Sequence, residues 1–272
     1  MVNYSPNIHN SAKSTEISFP AEIKDIFPDA TLAEEVAADL GKNVNDKVTQ
    51  DELLAVKGVV VISPELEGIQ YLKGLETLDC SGVREVSGKS ISDITLLSGL
   101  TNLYAVSLDN NDIIDVSPLK RLINLTSLSL TNNKVGDVSA LRDLVKMESL
   151  DLSNENLDGF TGSNHVSDIS PLNNMKALSY LNLNKNSVSN FSAIHELKDV
   201  SLHGDEQLIE LPKTPERQHH LILRNKDGSD VKIEPGSTGH YNNDTVYWNN
   251  EGENKLIFSG EHISGVVKEI TT

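Results

Sequence analysis

Through the middle of the chain, apolar residues flank single polar or small residues in short pairs that return at a fixed interval. Val106 and Leu108, Leu128 and Leu130, Leu150 and Leu152, and Leu181 and Leu183 form such pairs, and the first three begin 22 residues apart. At a constant offset after each pair stand a polar residue and then an aliphatic one: Asn111 with Ile113, Asn133 with Val135, Glu155 with Leu157, Asn186 with Val188. A third block closes each unit, in Val116 to Leu119, Val138 to Leu141, Ile169 to Leu172 and Phe191 to Ile194.

A fixed period of this kind, with one strand and one turn per unit, marks a leucine-rich-repeat solenoid. Degenerate copies extend it to Val59 and Val61, to Leu78 and Cys80, and to Val200 and Leu202. The registers are then spaced 19, 28, 22, 22, 31 and 19 residues. The two long intervals predict inserted loops near Gly82 to Lys89 and near Phe160 to Asp168. The paired apolar residues point to one side of a short strand and stack into a parallel sheet on the concave face, about 30 Å long at the usual strand spacing. Aliphatics at every third position, such as Leu119, Leu122 and Leu125, predict a convex side of 3₁₀ or extended turns. Asn111, Asn133 and Asn186 are expected to stack, their amides bonding backbone groups that a curved coil leaves unpaired.

A repeat array exposes apolar faces at both ends, so both need covers. Upstream, Thr31 with Glu34 and Thr49 with Glu52 have capping-box spacing and predict two short helices, closed by Gly41 and Gly58. Downstream of residue 212 the leucine period stops. Strand-like runs at His220 to Leu223, Asp230 to Glu234, Thr245 to Trp248, Lys255 to Phe258 and Gly265 to Ile270 predict a small β-domain. Residues 211 to 215 read as a loop. The division expected is an extension over 1–18, a helical cap over 19–58, repeats over 59–212 and the β-domain over 213–272.

Charge narrows the functions open to this fold. Lys plus Arg is 23 against 40 for Asp plus Glu, a net charge of −17, opposite in sign to the basic footprint that nucleic acid requires. The single cysteine, Cys80, excludes an internal disulfide and any zinc site built on several thiolates. It sits at an inward leucine position, where a thiol behaves as a small hydrophobe. No apolar run approaches a membrane span. The opening segment lacks a charged stretch followed by an apolar core, so no signal peptide is read there, and a cytoplasmic or processed form is expected.

Several segments together resemble a known family, the bacterial internalins. Phe27 to Glu35 with Leu40, Val48 to Gln50 and Glu52 is similar to the internalin cap; Leu72 to Asp79 and Asp168 to Leu172 match its 22-residue repeat. Asp227 with Gly228, Thr245 to Asn249 and Phe258 to Gly260 resemble its immunoglobulin-like inter-repeat domain. The resemblance covers residues 19 to 272 in the family's order. It implies an exported, non-enzymatic, virulence-associated or surface protein that binds a host or cell-surface protein through its repeats, with an immunoglobulin-like C-terminal domain; a monomer is expected.

Residues flanking the leucines set the concave face. Its rows read Thr77, Asp79, Ser81; Ala105, Ser107, Asp109; Ser127, Ser129, Thr131; Ser149, Asp151, Ser153; Tyr180, Asn182, Asn184; Asp199, Ser201, His203. Tyr180 is the only large amphipathic side chain among them, and binding hot spots favour Tyr, Trp and Arg. Tyr180, Asn182, Asn184, Ser201 and His203, with Asp151, Asp109 and Asp79, are therefore the expected partner-binding residues. The alternative is an envelope-associated structural module with glycan contact or no specific ligand. The inserted loops, around Arg84 and Phe160 to His165, are the competing site. Asn154, Asn156 and Asp158 imitate the start of a calcium loop, but Val166 stands where its bidentate glutamate belongs. No cofactor, metal site or catalytic motif is expected.

Overall fold

The computed structural model describes residues 17–155, 163–249 and 253–270, without the side chains of residues 84 and 85. The chain opens with a strand, β1 (Ala21–Glu22), paired antiparallel to β2 (Lys47–Val48) around helices α1 (Ile23–Ile26) and α2 (Ala30–Asp39); α3 (Gln50–Leu53) follows. The Thr49 box forms as its spacing predicts: the hydroxyl accepts from Glu52 N–H while the Glu52 carboxylate accepts from Thr49 N–H. At α2 the expectation needs correction. Asp29, two residues earlier than Thr31, is the N-cap and accepts from Leu32 N–H at 3.0 Å. A carboxylate at that position meets orphan N–H groups and the positive end of the helix together.

Strands β3 (Gly58–Val60), β4 (Thr77–Asp79), β5 (Ala105–Ser107), β6 (Ser127–Ser129), β7 (Ser149–Asp151), β8 (Tyr180–Asn182) and β9 (Ser201–Pro212) pair in parallel, each with the next. The solenoid is a leucine-rich repeat with 3₁₀ turns on its outer side, from Ile69–Tyr71 to Phe191–Ile194. Asp93, Asp115, Asp137 and Asp168 each accept from the N–H two residues on, at 2.8 to 2.9 Å, where such turns begin. Part of the chain's acid is thus structural.

The register of the last strand differs from the expectation. Leu181 stands opposite Leu202, so the inward pair is Leu202 and Gly204 rather than Val200 and Leu202. The final interval is then 21 residues instead of 19, and Asp205 takes the place in the concave rows expected for Asp199. Gly204 is needed because a Cβ there would lie 2.7 Å from Phe191 and 2.8 Å from Ile263. The array stops where a side chain from the following domain fills the leucine site.

A ladder of buried amides runs through the coil. Asn111, Asn133, Asn164, Asn186 and Gln207 are all at most 1% exposed. Each donates to two or three carbonyls, and each accepts one N–H from the preceding coil, from Ile91, Ile113, Val135, Val166 and Val188 in turn. Asn164, not Glu155, is the rung of its repeat. The nine extra residues therefore lie between Asn154 and Asn164, and Asn154 closes their base by accepting from Asn164 N–H at 2.7 Å and donating to its carbonyl at 2.9 Å. Val166 is core. Asn156 and Asp158 of the calcium-like pattern lie outside the described residues. In the first insertion, Val83–Ser87 forms a short helix, α4, with Val83 buried.

The C-terminal part contains β10 (Gln218–His220), β11 (Lys232–Ile233), β12 (Gly239–Asn242), β13 (Thr245–Trp248), β14 (Lys255–Gly260) and β15 (Ile263–Ile270). One three-stranded sheet has the order β10-β13-β12; the rest continues the repeat sheet as β11-β14-β15-β9. The strand β12 was not predicted, its glycine and asparagine being poor strand signals. The expected loop at 211 to 215 is shorter than read, since β9 runs through Pro212. The first three residues of β9 pair with β8, and Gly204 and Gln207 to Pro212 pair with β15 in parallel, across an irregularity at Asp205 and Glu206. One cluster of buried apolar side chains runs from Ile23 to Val267.

Candidate functional site

Outward side chains of β3 to β9 form the concave face. Because strand residues alternate, Thr77, Ala105, Ser127, Ser149, Tyr180 and Ser201 stack in one row and Val60, Asp79, Ser107, Ser129, Asp151, Asn182 and His203 in the next. The predicted residues are brought together here. At the C-terminal end the Tyr180 and His203 rings lie 5.3 Å apart, tilted by 45°, and the Ser201 hydroxyl is 3.3 Å from His203 Nε2. Burial pushes the Tyr180 phenol up, helped by the charge of Asp151, so at neutral pH it presents an O–H.

Much of the polar surface between the ends is internally committed. Asn182 Nδ2 donates to Asp151 Oδ2 at 3.0 Å, and Asp151 Oδ1 accepts from Ser153 N–H and its hydroxyl at 2.9 and 2.6 Å. Asn184 Oδ1 accepts from Asp205 N–H at 2.8 Å. Asp109 Oδ1 accepts from the Ser129 hydroxyl at 2.5 Å and Thr131 N–H at 2.8 Å. Burial nevertheless raises the Asp109 carboxyl above its ordinary range, because its hydrogen bonds are to neutral groups. Asp79 Oδ1 accepts from Ser81 N–H and its hydroxyl at 2.9 and 2.6 Å.

At the N-terminal end of this face sequence reasoning named Asp79 but missed the hollow beside it. A hollow of about 440 Å³ opens there between Val60, Thr77, Asp79, Ala105, Ser107 and Ser129, with Glu35 of α2 on its rim. Glu35 accepts from the edge N–H of Val60 at 2.7 Å; burial raises its carboxyl. Ala105 was visible in the rows, whereas Gly58, read as the end of a cap helix, belongs to β3, and the approach of Glu35 depends on how the cap packs.

Cys80 is fully buried, and burial pushes its thiol well above the ordinary range. Among the described residues no group of His, Cys, Asp and Glu could hold a metal ion, and no helix is long and apolar enough to cross a membrane. Of the competing loops, Asn164 is a ladder rung and His165 lies against Gly136, where an added Cβ would fall 2.5 Å from the ring. The side chain of Arg84 and residues 160 to 162 lie outside the described residues.

Residues 10–53 match the family profile described as the bacterial adhesion/invasion protein N terminal, Internalin_N. The crystal structure of InlF, an internalin of Listeria monocytogenes, is similar over 77% of this chain and 54% of that chain, at 35% identity and a TM-score of 0.57. The chain belongs to the bacterial internalin family. Internalin C2 of the same organism is similar over 73% of this internalin and 90% of its own length, at 28% identity and a TM-score of 0.49. This internalin spans about half the length of the InlF structure it matches. No curated protein matches it.

Proposed function

We propose that this chain is a secreted or surface-exposed, non-enzymatic binding protein that presents its concave face to a host or cell-surface protein. The pairing of Tyr180 with His203 on a rigid parallel lattice supports the reading best. Side chains fixed by stacked strands lose little freedom on binding, and an aromatic ring with polar neighbours is the usual composition of a binding centre. Asn182, Asn184 and Ser201 surround that pair, and Asp151, Asp109 and Asp79 continue the surface toward the cap. Residues 19–58 act as the N-terminal cover, 59–212 as the binding module and 213–272 as an immunoglobulin-like cover for the last coil.

The test is capture of partners from host surface extract, with purified cell wall as the alternative bait, using the native chain and Tyr180→Ala. A protein partner whose affinity falls by about 1 to 2 kcal/mol on losing Tyr180 is expected, the range for a buried aromatic anchor. Retention by cell wall alone, unchanged in Tyr180→Ala, would favour the envelope-associated reading.

A further inference from the structure

We infer that the hollow between β3, β4, β5 and β6 seats an arginine side chain from a basic segment of the partner protein. The inference rests on the reading that the concave face binds a protein, and it adds the chemistry of one contact.

Shape is the first argument. Where β8 carries Tyr180 in the outer row, β3 carries Gly58 and β5 carries Ala105, so the sheet is dished at its N-terminal end. The dish has an apolar floor, including Val60, which is 53% exposed. A guanidinium is planar and weakly hydrated, and it lies on apolar surface more readily than an ammonium does.

Charge is the second. Two outward residues on each of seven strands give fourteen positions in register, and none is Lys or Arg. Glu35 and Asp79 stand on the rim, with Asp109 beyond Ser107 and Ser129. Asp79 and Glu35 both add to burial in raising the Cys80 thiol beneath β4. Among the described residues none of these three acids pairs with a cation, and Lys57, which precedes β3, is held by Glu76 at 3.2 Å. Glu35 and Asp109 are carboxylates that burial disfavours and no positive charge relieves. A cation brought by the partner supplies that relief. The Ser107 and Ser129 hydroxyls add acceptors for the remaining N–H groups of the fork.

The probe is Nα-acetyl-arginine amide, with Nα-acetyl-citrulline amide as its uncharged isostere, titrated into the full ¹⁵N-labelled chain and followed by amide shifts. The arginine compound should shift Val60, Asp79, Ala105, Ser107 and Ser129 saturably, with the citrulline compound at least tenfold weaker. Glu35→Gln and Asp79→Asn should each weaken binding at least threefold, and Ser149→Ala, further along the face, should not. The amide spectrum reports whether each variant is folded; if one is not, the other decides. Equal shifts from the two compounds, shifts spread evenly over outer-side aspartates such as Asp115 and Asp137, or unaltered binding by a folded rim variant would each overturn the inference. The titration needs no partner. Its failure leaves the Tyr180 capture experiment standing, and failed capture leaves a positive titration standing.

Discussion

Replacing Asn133 with alanine removes one rung of the amide ladder, and the structure indicates which groups then go unpaired. Asn133 Oδ1 is the acceptor for Ile113 N–H at 3.0 Å, while Nδ2 donates to the carbonyls of Leu108, Leu130 and Thr131 at 2.9, 3.1 and 3.2 Å. The three carbonyls each keep a second donor, from Asn111 and Asn164 Nδ2 and from Asn110 N–H. Ile113 N–H keeps none. One buried orphan costs about 1 to 3 kcal/mol, and three weakened carbonyls add to it, so Asn133→Ala should destabilise by about 2 to 4 kcal/mol. The sharper test is a pair of double mutants. Asn133 and Asn164 share the Leu130 carbonyl, so removing both orphans it and should cost about 1 kcal/mol or more beyond the sum of the singles. Asn111 and Asn164 share no acceptor and should add to within about 0.5 kcal/mol. Urea unfolding by circular dichroism gives all the values. Equal couplings in the two pairs would refute the shared-carbonyl account and point to water taking over the vacant sites.

Cys80 should react with an aromatic disulfide reagent only at the rate of unfolding, since burial disfavours its thiolate; fast modification in native buffer would contradict the inward register of β4. The Glu52 carboxyl is held down to about 2, first by Thr49 N–H and then by Lys42. A folded value below the unfolded one stabilises the cap above the ordinary carboxylate range and ceases to as pH falls toward 2. A carbon-13 titration should find that midpoint, and Lys42→Ala should raise it; a midpoint near 4.5 would mean the box does not form. Gly204→Ala should lower stability by about 1 to 3 kcal/mol through overpacking against Phe191 and Ile263, whereas Gly82→Ala, with open space around its Cβ, should leave the urea midpoint unchanged.

The parts of this fold that were legible are those fixed by periodicity. Alternation within L-x-L pairs sets which side chain enters the core, and this fixed the register from Val59 to Leu181 without reference to anything distant. Errors arose where a local imitation competed with a contact from elsewhere. Glu155 stands at the ladder offset from Leu150, but a glutamate cannot donate two hydrogen bonds to buried carbonyls, and Asn164, nine residues further on, takes the rung. Val200 with Leu202 looks like a repeat pair, yet the true pair ends in a glycine because Ile263 occupies the space. Thr31 had the spacing of a cap, but Asp29 offers a charged acceptor. The concave residues were placed from their own rows. The hollow beside them was not legible, because Glu35 reaches it from a helix more than twenty residues upstream of Val60.

A strand that belongs to two neighbours at once has a mechanical consequence. β9 is bonded to β8 over its first three residues and to β15 at Gly204 and from Gln207 to Pro212, while Gln207 and Leu208 also donate to the Leu183 and Asn186 carbonyls of the last coil, so no hinge can open between the repeats and the C-terminal strands without breaking those bonds. The two therefore share one continuous sheet. A pull applied to β15 along its length therefore reaches the solenoid as shear, loading many parallel hydrogen bonds together instead of peeling them in turn. Within the repeats each strand from β3 to β8 is held to the next by three residues of sheet, and at the far end β3 passes the load to the cap through buried Val59 and the Glu35 carboxylate.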